Sequence, residues 1–468
     1  MEKLKSTMME SSWARWLVLI LVSLTMFFAY FFVDVAAPLQ SLLEKNYGWS
    51  PEVFGMLGGS EFFLNVFAGF LILSGIILDK MGIRFTIITS GLAMVFGAAL
   101  KYYALTFIDA SSIVNIFGYS LPSTAMFAFI GFAIFGVGVE MAGITVSKTL
   151  VKWFKGKELA LAMGLEMATA RLGVFAVFRL SPYFAGITDE NALGDPTGVS
   201  NSVFWGLAFL AVGFLTFLIY TFVDLKEEKQ SGKSDLSPED EFKISDIGKI
   251  LTNPGFIAIA GLCVLFYSAI FPFQKFATDM LASKLNMSIK DAGALFSYFP
   301  IGAMVLTPLI GFFLDKKGLG ATLMFFGALL LTVSHLIFGL VPAETFNTTI
   351  AIITIVILGT AFSLVPASMW PSLPKIIDEK FLGSAYGLIF FIQNIGLMIV
   401  PILIGWSLSH SNPGVAEAIA SGESLKYDYT QPELIFAGFG VAAMVLALIL
   451  KGIDKKNAYG LDLPNIQK

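Results

Sequence analysis

Long runs of apolar residues alternate with short polar segments along the whole 468-residue chain. Each run has about 20 or more mostly apolar residues, the length that an α-helix needs to cross a bilayer. Several runs exceed this length, so we expect tilted helices. The pattern predicts twelve transmembrane helices, at 15–37, 51–78, 84–106, 122–152, 158–182, 202–223, 254–278, 290–314, 320–342, 346–370, 381–408 and 432–451.

The composition agrees with this pattern and narrows the class of protein. Hydrophobic residues make up 56% of the chain and charged residues only 14%, whereas soluble domains have about 25% charged residues. The first apolar run is longer than a signal-peptide core, so we interpret it as a retained helix. The single cysteine, Cys263, excludes an intrachain disulfide, and the two histidines argue against a metal site. We expect no cofactor, no nucleic-acid partner and no enzymatic activity.

Basic residues are distributed unevenly among the segments between the predicted spans. Segments 107–121, 183–201 and 343–345 contain no Lys or Arg. The alternate segments and the tail are basic, with Lys80, Arg84, Lys152, Lys155, Lys157, Lys226, Lys249, Lys316, Lys317, Lys375, Lys380, Lys451, Lys455 and Lys456. Because Lys and Arg accumulate on the cytoplasmic side of a membrane protein, the pattern predicts that both termini are cytoplasmic.

A charged segment divides the chain near its middle. We predict an all-α membrane protein with an N-terminal six-helix bundle at 1–223, a cytoplasmic linker at 224–253, a C-terminal six-helix bundle at 254–451 and a cytoplasmic tail at 452–468. The linker is rich in charged residues, Ser and Gly, which is typical of a solvated and partly flexible segment.

Two segments about half the chain length apart repeat one pattern. Gly-x-x-x-Asp-x-x-Gly occurs at 75–82, where Arg84 follows it, and again at 311–318. The pattern resembles the signature of the major facilitator superfamily, and the resemblance implies two six-helix halves around a central cavity. The second copy differs, because Leu319 and Gly320 stand where basic residues are common.

The residue types of the repeat predict a gate, which we assign to Gly75, Asp79, Gly82, Arg84, Gly311, Asp315 and Gly318. The first glycine of each copy permits close helix packing, and the second permits a tight turn. Each aspartate can accept hydrogen bonds from a helix N-terminus, where the dipole favours an anion. The resemblance implies that those N-termini belong to the other half, near Phe381 and Glu158.

An acid and a base lie within neighbouring predicted spans. Glu140 lies near the middle of 122–152 and Arg171 near the middle of 158–182, at depths that differ by roughly 5–8 Å. Ionisable residues inside a membrane indicate a functional site, and Arg suits bidentate binding of a carboxylate. The two side chains could hold the carboxylate and the ammonium of a ligand, or they could form a buried structural ion pair.

The sequence around this pair resembles a subgroup of the superfamily. The similar residues lie in segments 153–173 and 370–401, which contain Trp153, Trp370 and Pro401. The resemblance is to the lysosomal dipeptide transporters and their bacterial relatives. It implies that Glu140 and Arg171 engage the two termini of a peptide.

Other polar residues within the spans are further candidates. We expect Asp34, Glu61 and Lys275 to form gate or proton-linked ion pairs, and Glu166 could carry a proton. The wall contributed by the C-terminal half could include Trp370, Tyr386, Gln393 and Asn394.

These observations predict a transporter that works by alternating access on small zwitterions, most concretely dipeptides. The alternatives are an organic-anion or monocarboxylate antiporter, a proton-coupled symporter, and a membrane sensor that does not transport. We expect a monomer in the lipid bilayer of a cell (inner) membrane, with a small molecule as its partner.

Overall fold

The computed structural model of the chain is almost entirely helical. It describes residues 8–116, 118–154, 157–188, 191, 194–195, 197–231, 244–378, 381–421, 423 and 425–464. The α-helices are α1 (Ser12–Val33), α2 (Gln40–Tyr47), α3 (Pro51–Phe67), α4 (Phe70–Phe107), α5 (Ser123–Phe154), α6 (Leu159–Phe184), α7 (Gly198–Ser231), α8 (Ile244–Leu251), α9 (Pro254–Leu285), α10 (Ile289–Phe296), α11 (Tyr298–Lys317), α12 (Gly320–Leu340), α13 (Thr348–Ile376), α14 (Leu382–Ser411), α15 (Val415–Ala420) and α16 (Thr430–Asn457). An antiparallel hairpin pairs β1 (Ile113–Ile116) with β2 (Tyr119–Pro122).

Eleven helical stretches of the described chain are long and apolar enough to cross a membrane. The predicted span 51–78 is divided, because α3 has only 17 residues and Gly69, with φ 65°, separates it from α4. Helix α4 then continues across Gly82, whose φ of 79° and ψ of 172° break the helical geometry between two predicted spans. The chain is therefore a multi-pass membrane protein, and the count of twelve spans stays a prediction.

The linker predicted at 224–253 is partly helical. Helix α7 continues to Ser231, and α8 precedes α9 directly. Residues 232–243 of this segment, for which the flexible character stays a prediction, lie outside the described ranges. Its helical ends carry charges that pair with the predicted gate segment, as shown below.

The helices form two halves, α1–α7 and α9–α16, and each half has an end near the termini and an end near the hairpin. We call the first the linker end (around 79–84, 224–231, 315–320 and 452–464) and the second the hairpin end (around 34–50, 107–122, 285–288 and 412–429). Between the halves, α3 packs along α14, and α6 packs along α10 and α11.

The two halves touch closely at the hairpin end. A Cβ at Gly55 would overlap the carbonyl of Pro401, one at Gly405 that of Pro51, and one at Gly293 that of Phe178. Such approaches between backbones need glycine, because any side chain would push the helices apart. The hairpin end is therefore closed in this conformation.

The linker end is separated in the same conformation. A Cβ at Gly75, Gly164 or Gly311 would meet no described atom within 4 Å. The close packing predicted for Gly75 and Gly311 is thus absent here, because the halves diverge towards this end. For a conformation in which the linker end is closed, this packing stays a prediction.

The residues after α16 fold back onto the C-terminal half. Asp462 Oδ1 accepts a hydrogen bond from the Thr322 backbone N–H (3.0 Å) at the start of α12, and Lys451 lies 3.1 Å from Asp462 Oδ2. The Lys375 ammonium donates to the Leu463 carbonyl at 3.0 Å. These residues therefore fix the turn that follows the second copy of the repeat.

Candidate functional site

A cavity of about 150 Å³ lies between the two halves, on the linker-end side of the closed contacts. Both halves contribute to its wall, through α1, α3, α5 and α6 on one side and α9 and α14 on the other. Its lining residues are Met26, Tyr30, Val33, Asp34, Gly58, Glu61, Phe62, Val139, Glu140, Gly143, Arg171, Val174, Phe271, Pro272, Gln274, Lys275, Gln393, Leu397 and Pro401.

Glu140 and Arg171 both line this cavity without neutralising each other. Within the described part of the chain, neither side chain forms a salt bridge or a hydrogen bond, although both are half-buried. The Arg171 guanidinium lies 4.7 Å from the ring centroid of Phe362 and 5.9 Å from that of Phe271. A cation over aromatic faces is held in place while its N–H donors stay available to a ligand.

An aromatic cluster in the C-terminal half stands behind Arg171. Trp370 donates from its indole N–H to the Tyr267 hydroxyl at 3.1 Å, and the Tyr386 hydroxyl donates to the Trp370 carbonyl at 3.3 Å. Tyr267 stacks on Phe271, with ring centroids 5.5 Å apart. Trp370 and Tyr386, both predicted to bind the ligand, do not line the cavity, and Trp370 is linked to its wall through Tyr267 and Phe271.

The other two residues predicted for this wall differ in position. Gln393 lines the cavity, and its Oε1 accepts from the Cys263 thiol at 3.4 Å. Asn394 is buried beside it, does not line the cavity, and its Nδ2 has no partner within the described residues.

Asp34, Glu61 and Lys275 form one buried charge cluster across the two halves. The Lys275 ammonium lies 2.9 Å from Asp34 Oδ1 and 3.5 Å from Glu61 Oε2. It also donates to the Val33 carbonyl at 2.9 Å, and Gln274 donates to Asp34 Oδ2 at 2.5 Å. Since Lys275 and Gln274 come from α9 while the carboxylates come from the N-terminal half, the cluster holds the hairpin end together. Glu166, by contrast, is half-buried and does not line the cavity, although it lies close enough to Arg171 to interact with its charge.

The first copy of the repeat is paired within its own half. Asp79 lies 2.7 Å from the Lys148 ammonium, and Arg84 lies 2.5 Å from Glu228 and 3.8 Å from Asp224. Among the described residues, Asp79 makes no contact with the helix that starts near Phe381, because the linker end is separated.

The turns of the repeat have the backbone geometry that glycine permits. Gly82 and Gly318 both have positive φ, at 79° and 76°, and Asp315 lies in the last turn of α11. Lys155 and Gly156, in the turn between α5 and α6, are not among the described residues.

Sequence reasoning missed several residues of the site. Tyr30 and Phe271 line the cavity and Phe362 supports Arg171, but one aromatic among 46 phenylalanines and 13 tyrosines carries no distinguishing signal. Lys101 is different, since it is a buried ionisable residue within a predicted span. The rule that ionisable residues within membrane spans indicate a functional site could have identified Lys101 from the sequence.

The fold and the cavity define the class of protein as a multi-pass membrane transporter. A sequence model described as Major Facilitator Superfamily matches residues 21–401 and 276–461, and the chain belongs to this family. The chain is a secondary membrane transporter, as the family and its relatives indicate.

Relatives in vertebrates resemble most of the chain. It is 29% identical over 398 residues to the lysosomal dipeptide transporter MFSD1 of Mus musculus, covering 84% of this chain and 80% of the relative. The MFSD1 of Danio rerio is 28% identical over 324 residues, covering 69% of this chain and 66% of the relative.

Solved structures support the fold. The nucleoside transporter NupG aligns with a TM-score of 0.65 at 13% identity, covering 94% of this chain and 99% of that one. The xylose transporter XylE from E. coli, in an inward open conformation, aligns with a TM-score of 0.67 at 14% identity, covering 93% and 95%. At these identities the likeness concerns the fold alone.

Proposed function

We propose that this transporter carries dipeptides, with Arg171 binding the substrate carboxylate and Glu140 its amino group. The observation that carries the proposal is that these opposite charges line one cavity and form no salt bridge or hydrogen bond with any described residue. Relatives that share most of the chain are named dipeptide transporters. An extended dipeptide spans about 7 Å, which agrees with the offset in depth expected between the two residues.

The charge of the cavity favours a zwitterion over an anion. Lys275 is compensated by Asp34 and Glu61, so Arg171 is the cation available to a ligand. A monocarboxylate would satisfy Arg171 but leave Glu140 as an uncompensated carboxylate in a partly dry site, which is costly. A dipeptide satisfies both.

The two unlike ends support alternating access. The Asp34–Lys275–Glu61 cluster and the glycine contacts close the hairpin end, while the linker end is separated. The two halves would rock about the cavity, so that the hairpin end opens when the linker end closes. Asp79 and Asp315 would then receive helix N-termini of the opposite half, and Gly75 and Gly311 would permit the approach.

Uptake into liposomes tests the assigned roles. The purified protein is reconstituted, and uptake of a labelled dipeptide is compared for the wild type, Arg171→Ala and Glu140→Gln. Each variant removes one charge-assisted hydrogen bond to the substrate, so we expect a loss of at least about tenfold in uptake at low substrate concentration. Glu417→Gln and Lys455→Ala, at exposed positions away from the cavity, are the matched controls. Wild-type uptake by both cavity variants would refute the roles.

The same liposomes separate the competing substrates. N-acetylated dipeptides lack the free amino group and amidated dipeptides lack the free carboxylate. We expect neither kind to compete with the labelled dipeptide. Competition by a monocarboxylate that equals that of the dipeptide would favour the anion antiporter instead. Uptake that depends on an imposed proton gradient would add proton coupling, with Glu140, Glu166 and the cluster acids as the groups to test.

We further propose the membrane arrangement from the charge pattern. It has twelve spans in two six-helix halves, 1–223 and 254–451. Both termini, the linker 224–253 and the tail 452–468 lie in the cytoplasm. The protein is a monomer in the inner membrane of the cell. Single cysteines at exposed positions test it. A membrane-impermeant reagent added to intact cells should modify a cysteine at Ser111 and spare one at Lys455, and the reverse result would invert the topology.

A further inference from the structure

Lys101 is a buried cation that the proposed transport scheme does not yet use. It lies in α4, is 1% exposed, and its ammonium has no hydrogen-bond partner within the described residues. The ammonium lies 4.2 Å from the ring centroid of Phe132 and 5.3 Å from that of Phe32. A lysine is rarely buried without a carboxylate nearby, because losing its hydration is costly.

The buried charge cluster lies next to this lysine. A void of about 10 Å³ is lined by Lys101, Phe132, Gly58 and Lys275, and this volume is near the minimum for one water molecule. The Lys275 ammonium faces the same Phe132 ring at 5.7 Å. Lys101 therefore lies beside the cluster without lining the cavity, and the two lysines border the same void and face the same ring.

The four charges are divided unequally between the halves. Asp34, Glu61 and Lys101 belong to the N-terminal half and Lys275 to the C-terminal half. With the hairpin end closed, two carboxylates and two ammonium groups balance. When the halves separate there, Lys275 leaves with its own half, and two carboxylates remain with Lys101 alone.

We propose that Lys101 is the counter-charge that allows the hairpin end to open. It moves with Asp34 and Glu61, so it keeps one of them compensated when Lys275 withdraws. Lys101 touches no substrate and is a positioning residue that sets the balance between the two conformations. This inference rests on the alternating access proposed above but not on the identity of the substrate.

Counting the charges in each state predicts whether a variant favours the closed or the open hairpin end. Lys101→Met leaves two uncompensated carboxylates in the open state but only one in the closed state, so it favours closure. Glu61→Gln removes one carboxylate and favours opening. The double variant Lys101→Met/Glu61→Gln has one carboxylate and Lys275, so its net charge equals that of the wild type in both states, balanced when closed and with one uncompensated carboxylate when open.

The test measures opening of the hairpin end directly. Ala37 is 2% exposed in the turn that packs on α9, so a cysteine there becomes reactive only when this end opens. In an Ala37→Cys/Cys263→Ser background without substrate, we expect Lys101→Met to slow modification about tenfold, within the usual range of such couplings. Glu61→Gln should accelerate modification, and the double variant should return it to within about twofold of the background rate.

The outcomes separate this role from a merely structural one. A structural lysine would lower the melting temperature when replaced and would not be rescued by Glu61→Gln. A rate in Lys101→Met equal to or above the background, or a double variant as slow as Lys101→Met, would overturn the proposal. If Lys101→Met does not fold, Lys101→Gln and its double variant with Glu61→Gln answer the same question. The assay needs no dipeptide. If the variants show the expected modification rates but the protein does not take up dipeptides, only the proposed substrate is refuted.

Discussion

The close approach of α3 and α14 at the hairpin end makes Gly55→Ala an informative substitution. A Cβ at Gly55 would overlap the carbonyl of Pro401 and contact the Cα of Gly405. These are backbone atoms, so no change of rotamer can make room and the two helices have to separate. Since α3 and α14 belong to different halves, the substitution acts directly on the closed end.

The expected magnitude follows from the cost of overpacking. An extra methyl group in a well-packed contact costs about 1–3 kcal/mol. Only the conformation with a closed hairpin end bears this cost, because the helices are apart in the other one. An equilibrium shifted by this free energy changes by roughly 5–150-fold, so the hairpin end should open at least about fivefold more often.

The reporter cysteine at Ala37 provides the assay. Its modification rate is measured in the Cys263→Ser background with and without Gly55→Ala, and we expect an increase of at least about fivefold. Gly438→Ala is the matched control, because Gly438 is an exposed mid-helix glycine at which a Cβ would meet no described atom within 4 Å. An unchanged rate in Gly55→Ala, or an equal increase in the control, would refute the assignment of closure to this helix contact.

Two further predictions concern stability in detergent. Asp462→Ala removes the cap of α12, so we expect a loss of about 1 kcal/mol and a lower melting temperature. Burial raises the pKa of Asp462, but the hydrogen bonds from Thr322 and Lys451 outweigh burial and lower it. The stabilisation should therefore be complete at neutral pH and be lost as the pH falls from the ordinary aspartate pKa through the lowered one. Equal melting temperatures of the wild type and Asp462→Ala, both at neutral pH and at a pH below the lowered pKa, would contradict this. Glu433→Leu breaks a buried contact with His335 Nδ1 (2.7 Å), which should cost about 3 kcal/mol. The double variant His335→Phe/Glu433→Leu should regain most of that loss, since apolar replacement of a buried pair is often neutral, and a double variant no more stable than the single one would show the reasoning to be wrong.

Much of the secondary structure could be predicted from the sequence. The runs at 122–152 and 320–342 correspond to α5 (Ser123–Phe154) and α12 (Gly320–Leu340), with ends that differ by one or two residues. Apolar runs of this length have few alternatives to a helix in a bilayer, because each backbone group must be hydrogen-bonded within its own segment. The break at Gly69 was not predicted, since no proline or polar run marks it, and neither was the hairpin at 113–122.

The candidate site was predictable only in part. Glu140 and Arg171 stand out in the sequence because charges inside spans are rare, and the structure places both on one cavity wall. Trp370 and Tyr386 were predicted for the same wall but do not line the cavity. Their position relative to the cavity depends on how α13 and α14 pack against α9, and helical periodicity gives the face of a residue but not its distance from a cavity.

The sequence by itself determined that the chain crosses a membrane many times, and it predicted two related halves and a few charges within the spans as the functional groups. These are properties of single segments, since the bilayer imposes its requirements on each apolar run and each basic loop separately. Only the tertiary structure decided which charges are neutralised. Lys275 meets Asp34 and Glu61 across the halves, while Arg171 and Glu140 form no salt bridge or hydrogen bond with a described residue. Ionic contacts depend on separations of a few ångströms between helices far apart in the chain, and no local pattern encodes those separations.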